Sequence, residues 1–366
     1  MKGIRGYLPT LDGWRAVAIL AVIVDHFVSW SPHRSSASFA FTHIGPDGVS
    51  LFFAISGFLI CSRLLEEDTA TGRISLTGFY IRRASRILPA ALTYLGVIAL
   101  LGLAGLILVS PWEWWSSVLF FRNYLAPGLI TRGWGGYTVH YWSLAVEEHF
   151  YLLWPGLLVL SGRKRAVYVA GALALAVSLW RWWDFHHHWM DRLIPGLLFG
   201  SRTDVRLDGL LMGCLAALLL TEPKIRYWAE RNLNWPLTVL FVCLYAGFLL
   251  LAHRHNYSLW GSMLLSAIVV STVLHPTSWI GRILENPGAR WLGRLSYSLY
   301  LWQELFTTSD TRYPISLLQM FPLNLIALLG VAALSYRYVE RPMIRLGHRL
   351  APPPTPGRQD IASPAS

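Results

Sequence analysis

The sequence has few charged residues and very few cysteines, and both shortages restrict the kind of protein it encodes. Of its 366 residues, 14% are charged and 54% are hydrophobic, whereas a soluble domain carries about 25% charged residues. This balance excludes an ordinary soluble domain and indicates a polytopic membrane protein. The three cysteines lie in apolar segments without CxxC spacing, so neither a disulfide framework nor a zinc site is expected.

Common nucleotide, nucleophile and metal motifs are also missing. The sequence has no Walker A loop, no GxSxG and no HExxH. We therefore expect no metal ion and no permanently bound cofactor. The net charge of +11 would favour nucleic acid as a partner for a soluble protein. Here the basic residues fall largely between apolar segments, where they set membrane orientation, and no nucleic-acid partner is expected.

Ten apolar stretches have lengths suited to membrane helices. Basic residues precede the first stretch and follow the second, fourth, sixth, eighth and tenth, so the positive-inside rule predicts that both termini are cytoplasmic. We predict an all-α transmembrane bundle of about ten helices over residues 1–349, followed by a proline-rich, disordered tail over 350–366. The stretches lie near residues 11–30, 48–65, 87–109, 141–160, 166–183, 207–221, 236–252, 259–275, 292–308 and 317–340.

The first stretch contains charged and titratable side chains that a bilayer tolerates poorly. Asp12, Arg15 and His26 fall roughly on one helical face, with Arg15 and His26 about 16 Å apart along the axis. Such groups are costly inside a membrane and indicate a functional site, the alternative being buried structural polar residues. A histidine can act as a general base while an arginine orders an anionic group of the substrate.

Three arginines, Arg82, Arg83 and Arg86, directly precede the predicted third helix. Guanidinium groups bind phosphate through paired, charge-assisted hydrogen bonds, so the cluster suits a polyanionic ligand. The alternative is that these arginines set topology or contact anionic lipid.

Two adjacent carboxylates, Glu147 and Glu148, open the fourth predicted helix. Helical spacing places Glu147 with Ser143 and Tyr151 on one polar face, which makes it the better candidate. A carboxylate at this position could orient a histidine or polarise a hydroxyl group. The alternative is an interfacial charge near a helix N-terminus.

The connection over residues 181–206 carries four arginines on the side predicted to be external. At its end, Arg202, Asp204, Arg206 and Asp208 form a dense charged approach to a short apolar helix. These side chains could anchor the end of that helix, or they could line a polar cavity and bind substrate.

Six stretches together resemble acyltransferase family 3, whose ten-helix membrane proteins acylate bacterial cell-surface sugars and some secreted natural products. They occur in the family's order from about residue 8 to residue 349. In chain order the stretches are LDGWRAVAILAVIVDHF, GVSLFFAISGFLI, FYIRRASRILPA, WSLAVEEHFYLLWP, SYSLYLWQ and SYRYVERPMIRLGHRL.

The resemblance implies a multi-pass protein of the bacterial plasma membrane that uses acyl-CoA, in the simplest case acetyl-CoA, as co-substrate. It implies that His26 is the essential base and that Arg15 is its partner. It further implies that Arg82, Arg83 and Arg86 hold the phosphates of coenzyme A. Some family members carry an additional extracytoplasmic esterase-like domain. We expect none here, so the helical core would act alone or with a separate partner.

The chain departs from the family pattern at three positions. His149 stands where a glutamine is common, and Gln303 and Glu304 follow SLYLW, where a histidine is common. We expect none of the three to touch His26 and expect them to shape the acceptor pocket, with Gln303 as a candidate substrate-binding residue.

The leading hypothesis is therefore an O-acyltransferase that acts on a hydroxyl group of a polysaccharide, a glycolipid or a secreted natural product. The main alternative is a proton-coupled transporter or flippase, because buried Arg, His and Glu residues also suit transport. A membrane scaffold or sensor would not account for the charges within the first helix.

Overall fold

The computed structural model describes residues 6–29, 44–130, 136–251, 259–307 and 314–352, and within these ranges it is helical without strands. A π-helical turn, Tyr336–Glu340, joins the last two helices. The helices are α1 Pro9–Ser29, α2 Gly45–Thr71, α3 Leu76–Leu103, α4 Pro111–Val118, α5 Tyr141–His187, α6 Trp189–Leu193, α7 Thr203–Arg206, α8 Asp208–Leu219, α9 Pro223–Asn232, α10 Trp235–Leu251, α11 Leu259–Leu274, α12 Trp279–Leu284, α13 Pro287–Thr307, α14 Leu323–Ser335 and α15 Arg341–Leu350.

Four helical runs in the described ranges are long and apolar enough to cross a membrane: α2, α3, α5 and the run Leu323–Leu350. A fifth is counted if α9 and α10, which meet at 86°, form one bent span. The all-helical prediction is thus confirmed for the described residues, and several of these helices could span a membrane. Each of the ten predicted stretches overlaps a helix. Ten complete spans stay a prediction, because α8 and α11 have only 12 and 16 residues. The cytoplasmic position of both termini also stays a prediction.

Helix α3 begins at Leu76 instead of near residue 87. Ser75 caps it, because the backbone N–H of Gly78 donates to the Ser75 hydroxyl at 3.1 Å. Arg82, Arg83 and Arg86 therefore lie inside the helix and not before it, and their side chains point in directions that the helical period determines.

Helix α5 covers two of the predicted stretches, and its 47 residues form two helical segments that meet at a kink. The run bends at Gly162, whose φ of 69° and ψ of 159° are not helical. A glycine reaches this conformation at little cost because it has no Cβ. The basic residues Arg163, Lys164 and Arg165 follow the bend directly, at a point where the sequence predicts a loop between two helices.

Glycines allow the close helix crossings that form the centre of the molecule. A Cβ on Gly293 of α13 would lie 1.8 Å from the carbonyl oxygen of Asp12 on α1, and one on Gly57 of α2 would lie 1.9 Å from that of Leu210 on α8. Small residues of this kind bring helix backbones together in membranes. Helix α1 packs against both α2 and α13, and its Ala18 is fully buried.

The predicted disordered tail cannot be compared with the structure over most of its length. Helix α15 ends at Leu350, and residues 353–366 lie outside the described ranges.

We expect Gly57→Ala to destabilise the fold because the new methyl group would meet the Leu210 carbonyl. Overpacking of this kind costs about 1–3 kcal/mol, so the thermal midpoint in detergent should fall by several degrees. Gly96→Ala is the matched control, since a methyl group added at Gly96 on α3 would have no heavy atom within 4 Å. Equal midpoints for the two variants would contradict the close crossing of α2 and α8.

Candidate functional site

Five helices, α1, α2, α3, α5 and α13, surround a cavity that encloses about 660 Å³ of empty space, part of it open to solvent. Arg15, Arg83 and Arg86 line the cavity, and Glu147 is the acidic residue that lines it. The excess of positive charge suits an anionic ligand.

Glu147 and Arg83 hold each other on the cavity wall. Glu147 accepts hydrogen bonds from Ser56 at 3.0 Å and from Tyr151 at 2.7 Å. The Arg83 guanidinium lies 3.7 Å from the centroid of the Tyr151 ring, and its Nη2 lies 3.8 Å from the Glu147 carboxylate. The cation–π contact and the ion pair fix the Arg83 side chain where a ligand can reach it. The preference for Glu147 as the carboxylate facing the site agrees with this arrangement.

Arg86 is less neutralised than Arg15 and Arg83. Arg15 pairs with Asp12 at a rather long 3.4 Å, and Arg86 has no carboxylate within ion-pair distance in the described chain. Like charges that share a site repel each other. A bound anion would relieve this repulsion between Arg15, Arg83 and Arg86.

Arg82 does not join the other two arginines of its cluster. Its Nη2 pairs with Glu67 at 3.0 Å, and it is not among the residues that line the cavity. Residues 83 and 86 are helical neighbours, whereas residue 82 points about 100° away from residue 83. Arg83 and Arg86 therefore face the cavity, whereas Arg82 is held outside it by Glu67.

His26 contacts Glu304 instead of Arg15. The Nδ1 atom of His26 lies 3.1 Å from Oε1 of Glu304, whose side chain is 1% exposed, while that of His26 is 23% exposed. The expectation that Glu304 would not touch His26 is wrong. Asp12 contacts Gly293, and further along both helices His26 contacts Glu304. Helices α1 and α13 therefore run parallel, which places residues 26 and 304 side by side. The sequence alone could not reveal this pairing of helices.

The cavity approaches this ion pair through Tyr300. Tyr300 lines the cavity and stands one helical turn before Glu304, about 6 Å along α13. Its hydroxyl donates to the carbonyl of His140 at 3.1 Å and shares a hydrogen bond with Ser143. Tyr300 and Ser143 therefore form the boundary between the arginine cavity and the layer that holds His26.

His140 is a buried residue beside Glu304 that the sequence did not single out. Its ring packs against those of Tyr94, Tyr141 and Tyr300 at centroid distances of 5.3, 4.9 and 5.6 Å. Burial lowers the pKa of His140 to about 4 despite the opposing effect of Glu304, so the imidazole is neutral near pH 7. A lone histidine before an apolar stretch has no spacing signal that would have identified it.

Glu148, His149 and Gln303 lie outside the cavity lining. Oε1 of Glu148 is buried and has no hydrogen-bond partner in the part of the chain that the structure describes. His149 contacts the hydroxyl of Thr203 at 2.7 Å, at the charged connection before α8. Gln303 is fully buried beside Glu304, and both of its amide atoms lack a partner among the described residues. Its predicted role toward substrate stays a prediction.

The charged connection before α8 forms its own ion pairs. Arg202 contacts Asp184 at 2.6 Å and also pairs with Asp204, and Arg181 contacts Asp208 at 2.9 Å. Burial would raise the pKa of Asp204, but hydrogen bonds from Arg202 and Trp180 outweigh it and hold this pKa below its usual range. These groups are absent from the cavity lining, which favours the anchoring alternative over a substrate site.

Arg206 lies behind the cavity wall, whereas Asp12 contacts an arginine that lines the cavity. Arg206 donates to the Ser50 hydroxyl at 3.0 Å and lies 5.5 Å from the ring centroids of Phe53 and Trp142. Phe53 lines the cavity, so Arg206 lies behind its wall. Asp12 accepts a hydrogen bond from Tyr7 and pairs with Arg15, and thus orients an arginine of the cavity.

Comparison with known proteins identifies the family. The sequence profile of the family described as "Acyltransferase domain" matches residues 8–336. The chain belongs to this acyltransferase family. The family assignment does not favour the transporter hypothesis.

Two relatives illustrate the similarity. A Staphylococcus aureus (strain COL) protein named "Putative O-acetyltransferase" is 31% identical over 93% of this chain and 58% of its own length. The peptidoglycan O-acetyltransferase OatA of Listeria monocytogenes is 28% identical over 94% of this chain and 57% of its own length. The chain thus spans somewhat more than half the length of these relatives. No solved structure matches it.

We expect Asp184→Asn to lower stability strongly, because the substitution leaves the Arg202 guanidinium, which is 2% exposed, without its buried partner. Breaking a buried pair costs about 3–5 kcal/mol, which thermal denaturation in detergent will register. Glu230→Gln is the control, since its pair with Arg226 lies on the surface and such pairs contribute at most about 1 kcal/mol. Similar midpoints for the two variants would show that the connection is not an anchor.

Proposed function

We propose that this protein is a membrane O-acetyltransferase that moves an acetyl group from acetyl-CoA to a hydroxyl group of a cell-surface glycan. The observation that carries the proposal is the cavity in which Arg15, Arg83 and Arg86 converge, with the His26–Glu304 pair close beyond its Tyr300 boundary. Membership of the acyltransferase family and the names of the relatives support the same activity.

The arginine cavity supplies the donor site in this proposal. Arg83 and Arg86 bind phosphate oxygens of coenzyme A, and Arg15 adds a third cation from the facing helix. Charge-assisted hydrogen bonds of this kind are about twice as strong as neutral ones. Arg82 is left out of the donor site because it pairs with Glu67.

His26 is the general base in the proposed reaction. Its Nδ1 faces Glu304, so Nε2 is the nitrogen available to an incoming hydroxyl. As Nε2 takes the proton, the acceptor oxygen attacks the thioester carbonyl, a C–O bond forms and the C–S bond breaks. The proton then passes from His26 to the departing thiolate, which restores the base and releases free coenzyme A.

The acceptor is proposed to be a sugar hydroxyl of the cell envelope. A relative that covers most of this chain is named for O-acetylation of peptidoglycan. With cytoplasmic termini, His26 lies at the outer end of α1 while the arginines of α3 lie toward the cytoplasm. Donor and acceptor then approach from opposite sides of the membrane, and the coenzyme does not have to cross.

We expect Arg86→Gln to weaken binding of coenzyme A by about 10-fold or more, because a hydrogen bond to a charged group contributes about 1.5–3 kcal/mol. Isothermal titration of coenzyme A into protein in nanodiscs gives the dissociation constant. Arg82→Gln is the matched control and should change that constant less than about 2-fold, since Arg82 is held by Glu67. Equal losses in both variants would contradict a donor site inside the cavity.

We expect His26→Gln to reduce acetyl transfer by at least about 10²-fold, the lower range for loss of a general base. Binding of coenzyme A should be retained because His26 is not part of the arginine cavity. Thioester consumption and the mass of the glycan acceptor measure the reaction directly. A His26→Gln protein that still consumes acetyl-CoA and acetylates the glycan at the normal rate would overturn the proposed function.

A further inference from the structure

Glu304 is a buried carboxylate that lies beside the proposed base. It belongs to α13, is 1% exposed, and places Oε1 at 3.1 Å from Nδ1 of His26 on α1. A carboxylate removed from water is costly unless it is paired. Its position beside the imidazole, and not at the cavity wall, makes His26 a partner of this carboxylate.

Among the described groups that face Glu304, His26 is the one best placed to change charge. His140 faces Glu304 from the start of α5 and is neutral near pH 7. Tyr94 faces it from α3, and its hydroxyl donates to the carbonyl of Tyr137 at 2.6 Å. Asp25 faces His26 from α1 itself and bears the same sign of charge as Glu304. A proton accepted in this layer is therefore stabilised best on His26.

We infer that Glu304 is a positioning residue that holds His26 with Nδ1 protonated and Nε2 free to accept a proton; this rests on the proposed function of His26. The Nδ1 atom lies 3.1 Å from the Glu304 carboxylate, and this contact orients the ring. When Nε2 takes the acceptor proton, the carboxylate stabilises the imidazolium and gains no proton itself. A carboxylate that orients a base in this way is known from Ser-His-Asp triads, where replacing Asp by Asn costs about 10⁴ in rate.

The other candidate groups cannot substitute for this carboxylate. Gln303 is uncharged, and its amide atoms have no hydrogen-bond partner among the described residues. Glu147 bonds to Ser56 and Tyr151 at the cavity wall. The orienting role predicted for Glu147 or Glu148 thus passes to Glu304, on a helix far away in the sequence.

The test compares Glu304→Gln, Glu304→Asp and His26→Gln in nanodiscs with acetyl-CoA and a glycan acceptor. We expect Glu304→Gln to lower kcat at least about 10-fold, with the KM for acetyl-CoA changed less than about 2-fold. Glu304→Asp should restore part of the lost kcat. Adding Glu304→Gln to His26→Gln should cause no further loss, because the two residues act as a unit.

The outcomes separate this inference from the proposed function. Loss of activity in His26→Gln with full kcat in Glu304→Gln would overturn the role of Glu304 and keep that of His26. Full activity in His26→Gln would overturn both.

A measurement on the unmodified protein keeps the inference testable if Glu304→Gln does not fold. Nitrogen NMR of protein labelled with ¹⁵N-histidine reports the tautomer of each neutral imidazole, and His26→Gln identifies the signal of residue 26. We expect Nδ1 to carry the proton. A neutral His26 protonated at Nε2 would overturn the inference, because that nitrogen could not act as the base.

Discussion

The parallel packing of α1 against α13 is the contact on which the candidate site depends. Gly293 lets the two backbones meet at Asp12, and further along the same pair His26 meets Glu304. A larger residue at position 293 would force the helices apart, and the distance of 3.1 Å between imidazole and carboxylate could not be kept. A close backbone contact near one end of the helices thus positions a titratable pair near the other end.

The arginines of this protein serve two different purposes, and their partners distinguish them. Arg181 and Arg202 are buried in ion pairs with carboxylates, which leaves them little capacity to bind a ligand. Arg86 faces the cavity without a carboxylate partner in the described chain, and Arg83 has only a long ion pair. A site for an anion needs guanidinium groups like those of Arg83 and Arg86, whose N–H donors are still available for hydrogen bonds. Their mutual repulsion reduces stability until the anion is bound.

The candidate site has two layers with different chemistry. The arginine layer is cationic and partly open to solvent, as expected for a donor carrying phosphates. The His26 layer is bordered by the aromatic rings around His140, where a carboxylate and an imidazole interact more strongly than in water. Tyr300 lies between the layers and belongs to the same helix as Glu304, so one helix connects both parts of the site.

Composition was sufficient to predict a helical protein with candidate membrane spans, and the resemblance of six stretches predicted the family. The sequence also named several side chains that the structure places at the candidate site, among them Arg15, Arg83 and Glu147. The helical period also separates Arg83 and Arg86 from Arg82 in principle, but only after the start of α3 at Leu76 is known. The sequence did indicate a boundary near residue 162, because an apolar stretch followed by basic residues is typical of a helix end, and the structure has a kink with non-helical backbone at Gly162. Arg15 and His26 could be recognised from the sequence alone, because charged and titratable side chains are costly inside an apolar membrane segment. What each of them touches follows from the three-dimensional packing. Helical spacing relates residues within one helix, whereas the contact between His26 and Glu304 depends on which helices are neighbours, on their direction and on how closely glycine lets them approach.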